Sequence, residues 1–184
     1  SFNDTKQYPI FPILVKNCDS DSFDLNDYNS YRDLSKPTAF ICQKQSNIPP
    51  GLNQFNQLPS NEFLTAWSMV RVEPFTTFQI LLQGNKFLEA SRQLFSIQNY
   101  WNFMNRNATT NENIPEFFTF PFLYVNENRF DLGVRPNDKI RVDDIGLPNW
   151  ADDAFIYTSA NRIALESDIA SQYINKWIDL FFGI

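Results

Sequence analysis

The amino-acid sequence predicts a mainly α-helical domain whose helices pack around irregular extended segments. Three observations lead there. Apolar residues recur at helical spacing through residues 62–104 and again through residues 150–182. Between them lies IPEFFTFPFLYVNENRFDLG, residues 114–133, where Phe residues crowd around Pro115 and Pro121. Finally, the 184 residues include 19 Phe. Burying one Phe side chain is worth about 1.5–3 kcal/mol, and a chain of this length buries roughly 70% of its unfolded surface. One Phe-rich core in one domain is the expectation.

The N-terminal part carries Pro9, Pro12 and Pro37 among apolar residues. Proline removes a backbone donor and disfavours helix before it, so this part should be extended or turn-like. Residues 43–60, QKQSNIPPGLNQFNQLPS, have the Pro, Gly and Asn clustering of a loop. Ser60 then suits a helix cap, and Phe63, Ala66, Trp67 and Val70 form a stripe behind it. Pro74 interrupts. A second stripe follows in Phe75, Phe78, Leu81 and Leu82, with Gly84 placed to end it. From Ser91 onward, Leu94, Ile97, Trp101 and Met104 share one face, the pattern of a helix packed on a core.

The two prolines of residues 114–133 exclude a single regular helix, and alternation there is only partial. Glu116, Glu127, Arg129 and Asp131 would be costly in hydrocarbon. An extended segment threaded through the protein's own interior fits best, with amides satisfied by side chains or irregular partners. In the tail, Asp152 and Asp153 suit a helix start, and a break near Glu166 leaves Ser167 to cap a second helix. Phe155, Ile163, Leu165, Ile169, Tyr173, Trp177, Ile178 and Phe181 give that region a broad apolar face.

Composition narrows the function. Asp plus Glu number 21 against 15 Lys plus Arg, a net charge of −6, and no run of five basic residues occurs. That argues against nucleic-acid binding and against electrostatic capture by anionic lipid. No apolar run approaches the ~20 residues that span a bilayer, so no direct membrane insertion is expected. There is no His, and Cys18 and Cys42 are too far apart for a zinc motif, so a reduced cytosolic setting and no metal are expected. Asp19, Asp21, Asp24 and Asp27 resemble a calcium loop only loosely: the required Gly is absent and Ser30 stands at the twelfth position. Asn3 and Asn107 match the glycosylation acceptor pattern in an Asn-rich chain, with no other sign of secretion.

The pieces FNDTKQYPIFP, YRDLSKP, RVEPFTTFQILLQGNKF, LFSI, IPEFFTFPFLYVNENRFDLG, VDDIGLPNWA, NRIALES and KWIDLFFG, in this order, resemble the BEACH domain of the Beige and Chediak–Higashi proteins. They cover nearly the whole chain. The resemblance implies a mostly helical BEACH-like fold with irregular extended core segments. It also implies a place in a very large cytosolic protein, after a pleckstrin-homology-like (PH-like) domain and before WD repeats. By that resemblance the chain is a scaffold docking to the PH-like domain in the same polypeptide and to trafficking proteins. The expected processes are vesicle traffic, lysosome-related organelle size and autophagy, with a cytoplasmic location peripheral to endomembranes. No enzymatic activity and no cofactor is implied.

Three departures stand out. Where the family has His-Tyr-Gly-Thr-His-Tyr-Ser, this chain has QFNQLPS, with Gln54 and Leu58 at the His positions and Asn56 at the Gly position. Ile13 stands where the family usually has Trp. Relative to the family, residues 1–184 read as a partial BEACH domain lacking the N-terminal lead-in and the C-terminal tail, either a fragment or a shortened divergent copy.

The charged residues read two ways. Arg71 and Glu73 flank Val72, and Arg162 and Glu166 lie four apart beside Asn161. These five are candidate structural or interface residues, and the four charged ones are expected to be ion-paired groups tying irregular segments together, since breaking a buried pair costs about 3–5 kcal/mol. The rival reading is a carboxylate-dependent hydrolase using Glu73, Glu116 or Glu166, which requires two carboxyls facing each other across an open cleft. Asp143 and Asp144 are adjacent and should point apart, which disfavours a shared-proton pair.

Overall fold

The computed structural model describes residues 4, 8–16, 21–36, 38, 62–106 and 111–182. Expectations resting on Asn3, Cys18, Asp19, Cys42, Asn107, Ser60 and residues 54–60 lie outside them. The described residues are mainly helical: α1 (Glu62–Ser68), α2 (Phe75–Leu82), α3 (Ile97–Arg106), α4 (Glu116–Thr119), α5 (Ala154–Leu165) and α6 (Asp168–Phe182). Tight 3-10 turns at Tyr28–Ser30, Ala90–Arg92 and Pro121–Tyr124 join them. Among the described residues no β-strand forms. Pairing is confined to isolated bridges such as Phe11 with Asn113, Val15 with Tyr31 and Ser96 with Gly146.

The Phe-rich stretch does enter the core. Phe117, Phe118, Leu123 and Tyr124 are buried. Its conformation differs from the extended path expected: α4 and the Pro121–Tyr124 turn are helical. Each proline explains this, because Pro115 and Pro121 sit at the start of a turn, where the missing N–H has no intrahelical role. Both turns are too short to satisfy their backbone alone, and irregular partners complete the set. The Tyr124 hydroxyl donates to the Phe117 carbonyl at 2.9 Å, and the Tyr124 carbonyl accepts from the Ile145 amide at 2.8 Å. Rings lock the packing: Tyr100 stacks on Phe117, whose edge meets Tyr124, whose edge meets Tyr157. Phe122 alone of these aromatics stays exposed.

The helix ends of the tail follow local chemistry. Asp153 accepts the Ile156 amide at 2.8 Å and caps α5. The Ser167 hydroxyl accepts the Ala170 amide at 3.1 Å at the start of α6, after α5 ends at Glu166. Gly84 follows α2 with φ +72°, the left-handed stop expected of it. On α3, Ile97, Trp101 and Met104 are buried as the stripe predicts, with Leu94 just ahead of the helix.

Two helices turn the other way. In α2 the buried side chains are Thr76 and Gln79, Phe75 and Phe78 are partly covered, and Leu81 and Leu82 face solvent. The tight turn after α1 causes this: it places the Val70 carbonyl under Thr76, whose hydroxyl donates to it at 2.7 Å. In α5 the buried side chains are Ala154, Tyr157, Thr158, Asn161 and Ala164, while Phe155, Ile156 and Ile163 are exposed. Here the small Ala residues let the helix lie close on α4, and Tyr157 stacks against Trp150. In α6 Trp177 and Phe181 are buried, and Ile178 is exposed. The broad apolar face of the tail therefore divides between core and surface.

Candidate functional site

Arg71 lies in the turn between α1 and α2 and is buried. Its Nε donates to the Asp143 carbonyl at 2.8 Å, its own carbonyl accepts from Asn128 at 3.3 Å, and Nη1 and Nη2 find no partner among the described residues. Burial pushes its pKa down to about 10, against the pull of the Asp144 and Asp143 carboxylates. Those two carboxylates converge instead of pointing apart, because the backbone bends at Asp144. Asp143 accepts from the Asn126 side-chain amide at 2.7 Å and Asp144 from the Asn126 backbone amide at 2.7 Å. Asn126 closes the knot by accepting the Phe130 amide and donating to the Phe130 carbonyl.

Glu73 does not pair with Arg71. It is exposed and accepts the Thr77 amide at 3.2 Å and hydroxyl at 3.1 Å, a carboxylate at the positive end of α2. Asn161 is buried and donates to the Tyr157 carbonyl one turn back at 2.9 Å. Arg162 and Glu166 are exposed, and no ion pair forms between them. Glu116 accepts the Tyr8 hydroxyl at 2.7 Å, and its other oxygen is buried with no partner among the described residues.

The carboxylates of the hydrolase reading do not share a cleft. The cleft of 630 Å³ at the α5–α6 junction is lined by Glu166 with Asp168, Arg162, Leu25, Ile163 and Ile169, and contains neither Glu73 nor Glu116. A second, apolar cleft of 550 Å³ between α1 and α3 is walled by Phe63, Trp67, Leu88 and Phe103 and holds none of the three. Among the described residues no group of three or more His, Cys, Asp or Glu is placed to hold a metal ion. None of the described helices is long and apolar enough to cross a membrane.

What the structure brings together is a pair of outward apolar helix faces. On α5, Phe155, Ile156, Arg162, Ile163 and Glu166 fall within about a third of the helix circumference at 3.6 residues per turn. Phe122 extends that face, meeting Phe155 edge-on at 5.9 Å between ring centroids. On α2, Leu81 and Leu82 face solvent in the last turn. Contiguous apolar surface of this kind marks contact sites. The candidate residues Arg162 and Glu166 thus sit on an exposed face, whereas Arg71 and Asn161 sit in the interior.

Sequence reasoning missed the most buried ion pair. Arg32 meets Glu112 through two bonds, Nη2 to Oε1 at 2.7 Å and Nη1 to Oε2 at 2.8 Å, with both side chains fully buried. The Ile13 amide donates to the same Oε2 at 2.8 Å. No spacing rule links residues eighty apart, so no local signal could have found it.

The Beige/BEACH domain model matches residues 1–184. Similar proteins include the BEACH domain-containing protein lvsD of Dictyostelium discoideum, 34% identical over 197 residues, and a putative neurobeachin homolog of Caenorhabditis elegans, 35% identical over 196 residues. Beige protein homolog 1 of Saccharomyces cerevisiae is 34% identical over 200 residues. Each match covers 100% of this chain and only 6%, 8% and 9% of the respective relative. With a family model spanning every residue and a helical fold whose Phe-rich segment is swallowed by its neighbours, this chain belongs to the Beige/BEACH domain family.

Proposed function

We propose that the chain is a non-catalytic scaffold domain of a large cytosolic protein, serving vesicle traffic, lysosome-related organelles or autophagy at the periphery of endomembranes. In this reading it docks to a PH-like domain of the same polypeptide and presents a second face to trafficking proteins. The observation that carries the reading is the inverted α2, which buries Thr76 and Gln79 and leaves Leu81 and Leu82 in solvent. A helix of that polarity gains by being covered. The relatives devote less than a tenth of their length to the matching stretch. A neighbouring module on the same chain is present at roughly millimolar effective concentration, so even a modest apolar face suffices for docking.

The test is calorimetric binding between this chain and the PH-like region of its own polypeptide, with and without Leu81→Asp plus Leu82→Asp. Binding at least about tenfold weaker in the double variant is expected. Lack of any PH-like region, or binding that ignores both substitutions, overturns the docking reading. Substrate turnover lost on Glu73→Gln would overturn the non-catalytic one.

A further inference from the structure

The α5 face differs from that of α2 in what surrounds it. Its apolar residues are Phe122, Phe155 and Ile156 at one end and Ile163 further along, with the exposed Ser159 and Arg162 between them. Carboxylates stand at both ends. Asp152 and Asp153 are exposed at the helix start, and the exposed Glu166 and Asp168 line the 630 Å³ cleft at its finish. Leu25, Ile163 and Ile169 give that cleft its apolar lining, and Arg162 is the basic lining residue among those described. Beside it, the exposed Asp24 and Asp27 flank Leu25 and Asn26, each accepting a backbone amide within its own turn, from Asn26 at 2.8 Å and from Asn29 at 2.9 Å. From Asp153 to Glu166 the helix rises about 20 Å, roughly four turns.

Resting on the scaffold reading above, we infer that this face receives a basic amphipathic helix from a partner protein. Its apolar side lies on the Phe122–Phe155 ridge and Ile163, and its Lys or Arg residues reach the carboxylates at the two ends. Charge selects that occupant. An anionic membrane would be repelled by acidic groups at both ends. A second copy of α5, laid parallel or antiparallel, would set carboxylate against carboxylate. A basic helix meets opposite charge at each end, which fixes its register and speeds encounter. The edge-to-face ring pair provides an aromatic anchor at the helix-start end of the face.

The experiment measures fluorescence anisotropy of a labelled helical peptide of about five turns, Leu on one face and Lys at both ends, against its twin with Glu for Lys. The receptor is the full 184-residue chain. The Lys peptide is expected to bind at least about tenfold tighter than the Glu peptide, and less tightly as salt rises. Phe155→Ser with Ile163→Ser, both exposed and checked for unchanged circular dichroism, should lower that affinity at least about tenfold. Glu166→Lys with Asp168→Lys should reverse the preference between peptides. Equal binding of the two peptides, or indifference to Phe155→Ser with Ile163→Ser, overturns the inference. So does self-association, read by sedimentation, that those same two substitutions abolish, because a second copy then owns the face. Docking of a PH-like region is tested on α2, so its outcome is independent of these.

Discussion

Replacing Glu112 by Ala tests how the N-terminal segment is held. Glu112 accepts three charge-assisted bonds, from Arg32 Nη1, Arg32 Nη2 and the Ile13 amide, all between 2.7 and 2.8 Å. Both side chains are fully shielded from water. Glu112→Ala leaves a buried guanidinium without its counter-charge and the Ile13 amide without its acceptor. A loss of about 3–5 kcal/mol is expected for breaking such a pair. Arg32→Met alone should cost a similar amount, since it strands the carboxylate. Arg32→Met combined with Glu112→Leu removes both charges and fills the space, leaving the orphaned Ile13 amide, worth about 1–3 kcal/mol, and the Ile13 and Lys36 carbonyls without the guanidinium. The double variant should therefore be more stable than either single one, with a coupling of at least about 3 kcal/mol. Urea unfolding followed by circular dichroism measures all four proteins. Additive losses, or a Glu112→Ala loss below about 1 kcal/mol, would refute the buried-pair reasoning.

Further outcomes follow from the core and its caps. Phe117→Ala and Phe118→Ala should each destabilise by about 3–5 kcal/mol, read as lower urea midpoints, whereas unchanged midpoints would contradict their burial. Asp153→Ala removes the bond to the Ile156 amide and should cost about 0.5–2 kcal/mol, with Asp153→Asn recovering most of it. Burial raises the pKa of Tyr8, Tyr100 and Tyr124 above the ordinary 10.0, with Glu116 adding to the effect on Tyr8. The unfolded chain then releases these protons first, so stability should hold up to about pH 10 and fall as pH rises further. Seven tyrosines all titrating near pH 10 in the folded protein, by tyrosinate absorbance, would contradict this.

Where a feature depends on neighbours along the chain, the sequence displayed it. Asp153 and Ser167 cap the helices they precede, Gly84 ends α2, and the Leu94–Met104 stripe is buried. Each needs only a turn or two of backbone, within reach of local pattern. The failures have one cause. A stripe of apolar residues says that a helix has two faces, and does not say which one the core receives. In α2 and α5 close approach is achieved through Thr76, Ala154 and Ala164, and Leu81, Leu82, Phe155, Ile156 and Ile163 are left outside. Similarly, Arg71, Glu73, Arg162 and Glu166 read in the sequence as ion-paired groups tying irregular segments together. Arg71 does join segments, through the Asp143 carbonyl and the Asn128 side chain, whereas Glu73, Arg162 and Glu166 face solvent.

From the sequence alone came the helical class, the family resemblance, the lack of His-based metal and nucleophile sets, and the burial of a proline-broken Phe segment. These rest on composition, order and cost of exposure, none of which needs coordinates. Only tertiary structure decided that Arg32 and Glu112 meet, that Asp143 and Asp144 converge on Asn126, and that α5 turns Phe155, Ile156 and Ile163 outward. Such contacts join residues far apart in the chain, and their energies depend on three-dimensional burial.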